Sequence, residues 1–566
     1  MKREGPTALR GGAVAREAAP VFGQWLNAAF PTGDAAAAQS VGPSLPLSAL
    51  AFPSSKPLKD PAQSRCPNRL GSTEPAKSPD ALKKLETSAA APMSVTRLPM
   101  IEPAASPMPR VPVPLDEALT IANEFIESGR LPEAEKLLDH IISAVPESPL
   151  ALHQKGVVLF RTGHHQAAAE TVERAIKLSP GAINFRRSLC PIYERLGRYD
   201  DAVRIGCESL DIDGDDLQTL HNLAVVHYRR LELDESIACA RRALTLDPTA
   251  AGPHFQLAEA LLLRGDFAQG WEEYEWRFKI PGAPPLMPPT DRPQWDGAPI
   301  GEAKLLLIAD QGFGDSIQFS RYIPKVLERC SNVAVVADPL LHPIIRQVSP
   351  EVALVDRWQG CPEYVAYSPL SSLPRVFGTR LDTIPRELAY LHGDDSRTAA
   401  WRARLDDLVP SGFRRVGIAW AGRSTHNNDL NRSMRLREFA PIAALDRVAL
   451  LSLQKGEGQK AIAEYYGRAP LFNLGAEVTD FLDTMSIIDL TDVVVTVDTV
   501  IAHLAAAMGK PAFILLPFAP DWRWLLERTD SPWYPSARLF RQRSAGDWGS
   551  VMGDAAKAVA EIGPRN

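Results

Sequence analysis

Three observations predict an α-solenoid followed by an α/β region, with a disordered leader ahead of both. The first is a 34-residue spacing in three columns. Gly156, Cys190, Ala224 and Ala258 form one column, Gly163, Gly197, Leu231 and Gly265 a second, and Pro146, Pro180, Gly214 and Pro248 a third. The second is a change of pattern from Lys304 onward, where short apolar runs alternate with helix-length segments, the mark of parallel sheets covered on both faces. The third is the Ala/Pro/Ser-rich composition before residue 112, without apolar periodicity. Prolines break helices and remove backbone donors, so that leader is expected to be disordered and dispensable for stability.

The solenoid is expected over residues 113–280. Small residues in the first column let antiparallel helices approach closely. A turn glycine follows seven residues later, and a proline closes each unit. This pattern resembles the tetratricopeptide repeat. The register extends back to Ala122, Gly129 and Ala134 and forward to about Phe278, giving about five repeats. These columns explain packing. The groove they create implies a protein partner or acceptor, which the columns do not identify. Residues 281–300, containing "PGAPPLMPPTDRPQWDG", are expected to be a semi-rigid linker.

The α/β region divides into two Rossmann-like halves, 301–398 and 399–566, at the polar stretch around residues 395–412. Buried strands are expected at "AKLLLIA", "NVAVVAD", "RRVGIAWAG", "VALLSLQ", "DVVVTVD" and "AFILLP", and a helix at "IQFSRYIPKVLERC".

Composition excludes several classes. Hydrophobic residues make up 45% of the 566, enough for large cores, and the net charge of −6 argues against a dedicated nucleic-acid binder. Six scattered cysteines without a CxxC pair fit reduced thiols, with neither a zinc site nor a disulfide framework. No apolar stretch approaches the roughly 18 residues of a membrane span, and the N-terminus lacks a signal-peptide core. A cytoplasmic protein is the expectation.

Two strand-to-helix turns carry candidate chemistry, because ligands of parallel sheets sit beyond the carboxyl ends of the strands. The first is Asp310-Gln311-Gly312-Phe313-Gly314-Asp315. Gly312 and Gly314 permit close backbone approach, and Asp315 at the helix start is either a general base or a helix cap. The second is Asp498-Thr499 and His503, where a helix beginning near Thr499 offers free N–H groups and a positive dipole end to an anion. Thr499 and His503 share one face. Their bland alternative is a capped core helix with a satisfied histidine. Asp498 caps that helix or fixes a neighbouring cation. Gly422 ends a further strand, ahead of a polar loop with His426, Asn427, Asn428, Asp429, Asn431 and Arg432. Gln454 and Lys455 end another. Trp522, Trp524, Trp533 and Tyr534 crowd one segment, more in the manner of a core or interdomain contact than a stacking site.

Together, "LLLIADQGFGDSIQFSRYIP", "VGIAWAGRSTHNNDLNRSMRL", "LLSLQKG", "TVDTVIAHLAAAMGKPAFILLP" and "DWRWLLERTDSPWYP" resemble the family 9 glycosyltransferases, the lipopolysaccharide heptosyltransferase family, as found behind tetratricopeptide repeats in bacteria. The resemblance covers roughly residues 290–550. It implies a GT-B fold whose N-terminal half holds the acceptor and whose C-terminal half holds a nucleotide sugar. It implies no metal and no cofactor beyond that donor substrate. It places Asp315 at the catalytic base, Gln311, Gly312 and Gly314 in the active-site loop, and Asp498, Thr499, His503, Arg432, Gln454, Lys455 and Gly422 around the nucleotide sugar. Val500 stands where heptosyltransferases usually have glycine, and Arg432 near a position where they use lysine, so ADP-heptose is not carried over. The repeats combined with such a domain are also similar to the protein O-GlcNAc transferases, which implies a protein or glycan acceptor. The rival expectation is a non-catalytic repeat scaffold carrying a relic domain.

Overall fold

The computed structural model describes residues 114–280, 290–356, 363–425 and 428–563. The expected leader, residues 281–289 of the expected linker, His426 and Asn427 lie outside the described residues.

Ten helices build the solenoid as five antiparallel pairs: α1 (Leu115–Glu127), α2 (Leu131–Ala144), α3 (Pro149–Arg161), α4 (His165–Leu178), α5 (Ile183–Arg195), α6 (Tyr199–Ile212), α7 (Leu217–Arg229), α8 (Leu233–Leu246), α9 (Ala251–Arg264) and α10 (Phe267–Tyr274). The turn column is left-handed at every repeat, with φ of 75° at Gly129, 85° at Gly163, 70° at Gly197, 62° at Leu231 and 96° at Gly265. Four of the five are glycine because an L side chain is strained there. The small-residue column is buried throughout, and a Cβ on Gly156 would run into Val172 on the paired helix.

The α/β region holds two all-parallel sheets. The first has β1 (Gly301–Ile308), β2 (Cys330–Val336), β3 (Ala353–Val355) and β4 (Ala366–Pro369) in the order β3-β2-β1-β4. The second has β5 (Arg414–Ala419), β6 (Val448–Ser452), β7 (Leu471–Phe472), β8 (Val493–Val497), β9 (Ala512–Leu516) and β10 (Ala537–Arg541) in the order β10-β9-β8-β5-β6-β7. Numbered within each unit, these orders are 3-2-1-4 and 6-5-4-1-2-3. Both reverse direction between their first and fourth strands. A crevice opens at such a switch point, beyond the strands' carboxyl ends.

Three details differ from the sequence reading. The helix expected from Ile317 to Cys330 is two helices, Phe313–Ser320 and Ile323–Leu327, with Pro324 in the first turn of the second, where its missing N–H costs nothing. Residues 290–300 of the expected semi-rigid linker pack on the first sheet. Trp295 is buried, its backbone N–H donates to the Tyr367 carbonyl at 2.7 Å, and Gln294 bridges to β4. The Asp395–Leu408 helix packs on the Phe481–Asp489 helix, with Arg397 bonded to Asp480 at 2.7 Å. The two α/β units therefore part before Asp395 and not at residue 398.

The solenoid is joined to the α/β region by a continuous apolar core running from Ala224 and Leu257 through the first sheet to Trp533. Trp271 of α10 sits at this joint. It meets Trp522 edge-on at 5.2 Å and Trp533 at 6.4 Å, and its indole N–H donates to the Thr379 carbonyl at 2.9 Å. Such edge-to-face pairs add to the area these rings bury.

Candidate active-site cleft

A cleft of about 720 Å³ opens where both switch points face each other. It has three walls. Gln311 to Asp315 come from the first sheet, and Gly422, Arg432, Gln454, Lys455, Asp498, Thr499 and His503 from the second. The third wall, which no sequence pattern announced, is the solenoid itself: His221, Tyr228, Arg229, Phe255, Gln256 and Glu259 on α7 and α9. The 34-residue columns encode how repeats stack on each other and are silent on what the last repeats dock against.

The residues that the resemblance places in the active-site loop, at the base and around the nucleotide sugar thus line one cleft, whereas Asp310, Asp429 and Asn431 do not, and several of the lining residues already hold protein partners. Asp315 lies in the first turn of the Phe313–Ser320 helix. It is not the cap, since Gly312 holds that position. Its carboxylate pairs with the Arg523 guanidinium. Arg523 also donates to Gln318 at 2.7 Å and to Asp521 at 2.8 Å. Arg523 and Asp521 were missed by the sequence reading, which took their segment only for its aromatics. Burial raises the Asp315 carboxyl, and the Arg523 charge pulls against that rise. With its amide turned to satisfy its neighbours, Gln311 donates to Asp315 at 3.0 Å and accepts from Tyr274 of the solenoid at 3.0 Å.

The Val500–Ala507 helix starts with Thr499 at the cap position, but the Thr499 side chain makes no capping bond and lies 3.3 Å from the Thr496 hydroxyl. The first-turn N–H groups therefore retain no side-chain cap. The Asp498 side chain does not cap this helix either. Its backbone carbonyl accepts from Arg432 at 3.2 Å. Burial, with repulsion from Asp521, raises its carboxyl to about 6. Arg432 points its Nε at no hydrogen-bond acceptor among the described residues, although Asp429 is 3.7 Å away.

His503 is buried, and its Nδ1 lies 2.9 Å from the Tyr534 hydroxyl. Burial holds the ring well below the usual histidine range, so it is neutral. Its bland reading, a satisfied core histidine, describes one of its nitrogens. The glycines find an unforeseen use. A Cβ on Gly314 would stand 2.7 Å from the His503 ring, and one on Gly422 would stand 2.5 Å from Arg432. Both glycines let a side chain of the protein approach closely.

Gln454 is wholly engaged in backbone bonds. Its carbonyl accepts from Trp420 and Ala421 and its amide donates to Ala421 and Lys455, which clamps the ends of β5 and β6 together. Lys455 reaches the Val478 carbonyl at 2.6 Å. Five cations (Arg229, Arg423, Arg432, Lys455, Arg523) and six carboxylates (Glu259, Asp315, Glu457, Asp480, Asp498, Asp521) line the cleft. It is therefore not a broad cationic basin. Glu259 stands apart from the other carboxylates described above. Burial raises it to about 7, with Arg229 opposing, and it makes no hydrogen bond or ion pair with a described side chain.

No described helix is long and apolar enough to cross a membrane. Comparison with known proteins adds to this picture on the repeat side. The tetratricopeptide repeat family model matches residues 119–183. Protein FlbA of Caulobacter vibrioides is 24% identical over 468 residues, 76% of this chain and 76% of that protein. Among solved structures, MamA from Desulfovibrio magneticus RS-1 is 19% identical, covers 30% of this chain and 94% of its own, and has a TM-score of 0.26. The tetratricopeptide protein TTC0263 of Thermus thermophilus is 18% identical, covers 30% and 91%, and has a TM-score of 0.27. Residues 115–280 are a tetratricopeptide-type helical solenoid, and a region of two parallel sheets follows it.

Proposed function

We propose that the chain is a glycosyltransferase of GT-B, family 9-like type, moving a sugar from a nucleotide sugar to a protein or glycan acceptor brought by the repeats. One observation carries this reading. The switch points of two parallel sheets open onto a single cleft, with an uncapped helix start and Arg432 on one side and Asp315 on the other. In this scheme the acceptor hydroxyl oxygen attacks the anomeric carbon and gives its proton to Asp315. The bond from that carbon to the phosphate oxygen breaks, and its electron pair leaves with the nucleoside diphosphate. The first N–H groups of the Val500–Ala507 helix and the Arg432 guanidinium stabilise that charge, which fixed donors do without reorganising. These groups supply the neutralisation without calling on a metal.

The second reading, a non-catalytic scaffold, is favoured by a specific fact: Asp315 is tied to Arg523 and His503 to Tyr534. Calorimetric titration with ADP-, UDP- and GDP-glucose separates the two. Transferase function predicts saturable binding of at least one nucleotide. No heat with any of them, or with the free diphosphates, contradicts it and leaves the scaffold.

A further inference from the structure

Arg229 lies at the end of α7, buried, and belongs to the solenoid. Its Nε donates to Glu194 of α5 at 3.1 Å, a pair shielded from solvent on both sides. Its Nη1 crosses to the α/β region and donates to the Asn428 Oδ1 at 3.3 Å. Asn428 starts the short Asp429–Arg432 helical turn. Its Oδ1 also accepts from the Asn431 amide at 2.8 Å, and its carbonyl accepts the Arg432 N–H at 3.1 Å. Arg432 in turn donates to the Asp498 carbonyl at 3.2 Å, beside the start of the Val500–Ala507 helix. An unbroken line of bonds therefore runs from a solenoid helix to the cation of the proposed phosphate seat. The planar guanidinium holds Glu194 through Nε and Asn428 through Nη1 at once, two separate donors that a single ammonium does not present.

We propose that Arg229 is a positioning residue of the nucleotide site. By fixing Asn428 it fixes the turn that aims Arg432, so the solenoid is a structural part of the donor seat and not only a recruiter of the acceptor. The inference rests on the transferase reading, since it takes a phosphate as the ligand of Arg432. A partner that shifts α5 against α7 would then act on the cleft through Arg229.

A claim of coupling through a chain of residues needs coupling evidence, which a double-mutant cycle supplies. The probes are ADP, UDP and GDP, titrated by calorimetry first into the wild-type protein. Asn428→Ala breaks the line while leaving the Glu194–Arg229 pair intact. Arg229→Lys keeps a charge for Glu194 but loses the fork. Each is expected to weaken the nucleotide that wild type binds about tenfold, the scale of one hydrogen bond involving a charged group. The double variant should be no weaker than either single one, and Asn428→Asp, which keeps the acceptor oxygen, should restore affinity. Melting temperatures of Asn428→Ala and Asn428→Asp should match, which separates positioning from folding. Wild-type affinity in Asn428→Ala and Arg229→Lys, or strictly additive losses, would overturn the proposal. Failure of the wild-type protein to bind any of the three nucleotides overturns the transferase reading beneath it, and is seen before any variant is made.

Discussion

Asp315 meets two demands that pull against each other: a base must be free to take a proton, yet this carboxylate is held by Arg523. Arg523 keeps Asp521 as a second carboxylate partner, so Asp315→Asn leaves no cation stranded. The variant should fold, bind nucleotide as wild type does, and transfer sugar about 10²- to 10⁴-fold more slowly, the loss typical of a general base. Wild-type turnover would make Asp315 a clamp for Arg523 and nothing more. Glu259 allows a test that needs no ligand. Its carboxyl is raised to about 7 in the folded protein, chiefly by burial, against an ordinary value of 4.5. The folded state thus holds a proton that the unfolded chain has released between these values. The stability from that proton is present in full below the ordinary value and is lost as pH rises through about 7. Glu259→Gln lacks this loss, so its melting temperature should gain on wild type from pH 5 to about pH 7 and then level off. Parallel melting curves across that range would show that Glu259 is not so shifted. At this scale the sequence was partly legible. That Asp498 and Thr499 line the cleft was legible because they end an apolar run, Asp315 because it opens the helix after one, and Arg432 only through the polar loop that follows β5. Arg523, Asp521 and Glu259 were not legible, because their significance comes from elements far away in the chain.

Among the elements, the repeats were the most legible, because a turn needing positive φ repeats its glycine at a fixed spacing. Gly163 and Gly197 have open space around the position of a Cβ, so substitution there tests backbone strain alone. Gly163→Ala should cost about 1–2 kcal/mol in a urea unfolding experiment, the penalty for an L-residue in the left-handed region. No loss would mean that the turn relaxes. The apolar strands β1, β2, β5, β6, β8 and β9 were equally legible. Strands β3, β4, β7 and β10 were not expected. Two are only two or three residues long, and β10, "ARLFR", carries arginines that mask its alternation. For residues 290–300 the reading fell short because composition describes an isolated chain. Trp295 found a pocket against the first sheet that composition could not reveal.

For the whole molecule, what the sequence left open was how the solenoid meets the rest. The 34-residue columns fix neighbouring repeats, whereas the docking of α7, α9 and α10 onto the α/β region depends on single aromatics such as Trp271. That joint makes one core of the two parts. Trp271→Ala should destabilise by about 3–5 kcal/mol, as expected for removing a buried tryptophan. In the wild-type protein, tryptophan fluorescence and far-ultraviolet helicity should melt together, and in this variant they should separate. Separate transitions already present in wild type would mean that the solenoid is an independent unit and the third wall of the cleft a loose one.

The central claim is that the cleft seats a nucleotide sugar between Arg432 and the start of the Val500–Ala507 helix. A ligand that binds only the folded state raises its stability by about 2.7 kcal/mol at a hundred times its dissociation constant. The most direct test is therefore a thermal melt of the wild-type protein and of Arg432→Ala with ADP-, UDP- and GDP-sugars at saturating concentration. The account predicts that at least one donor raises the wild-type melting temperature by roughly a few degrees, and that the rise largely disappears in Arg432→Ala. No rise with any donor, or an equal rise in both proteins, would contradict it.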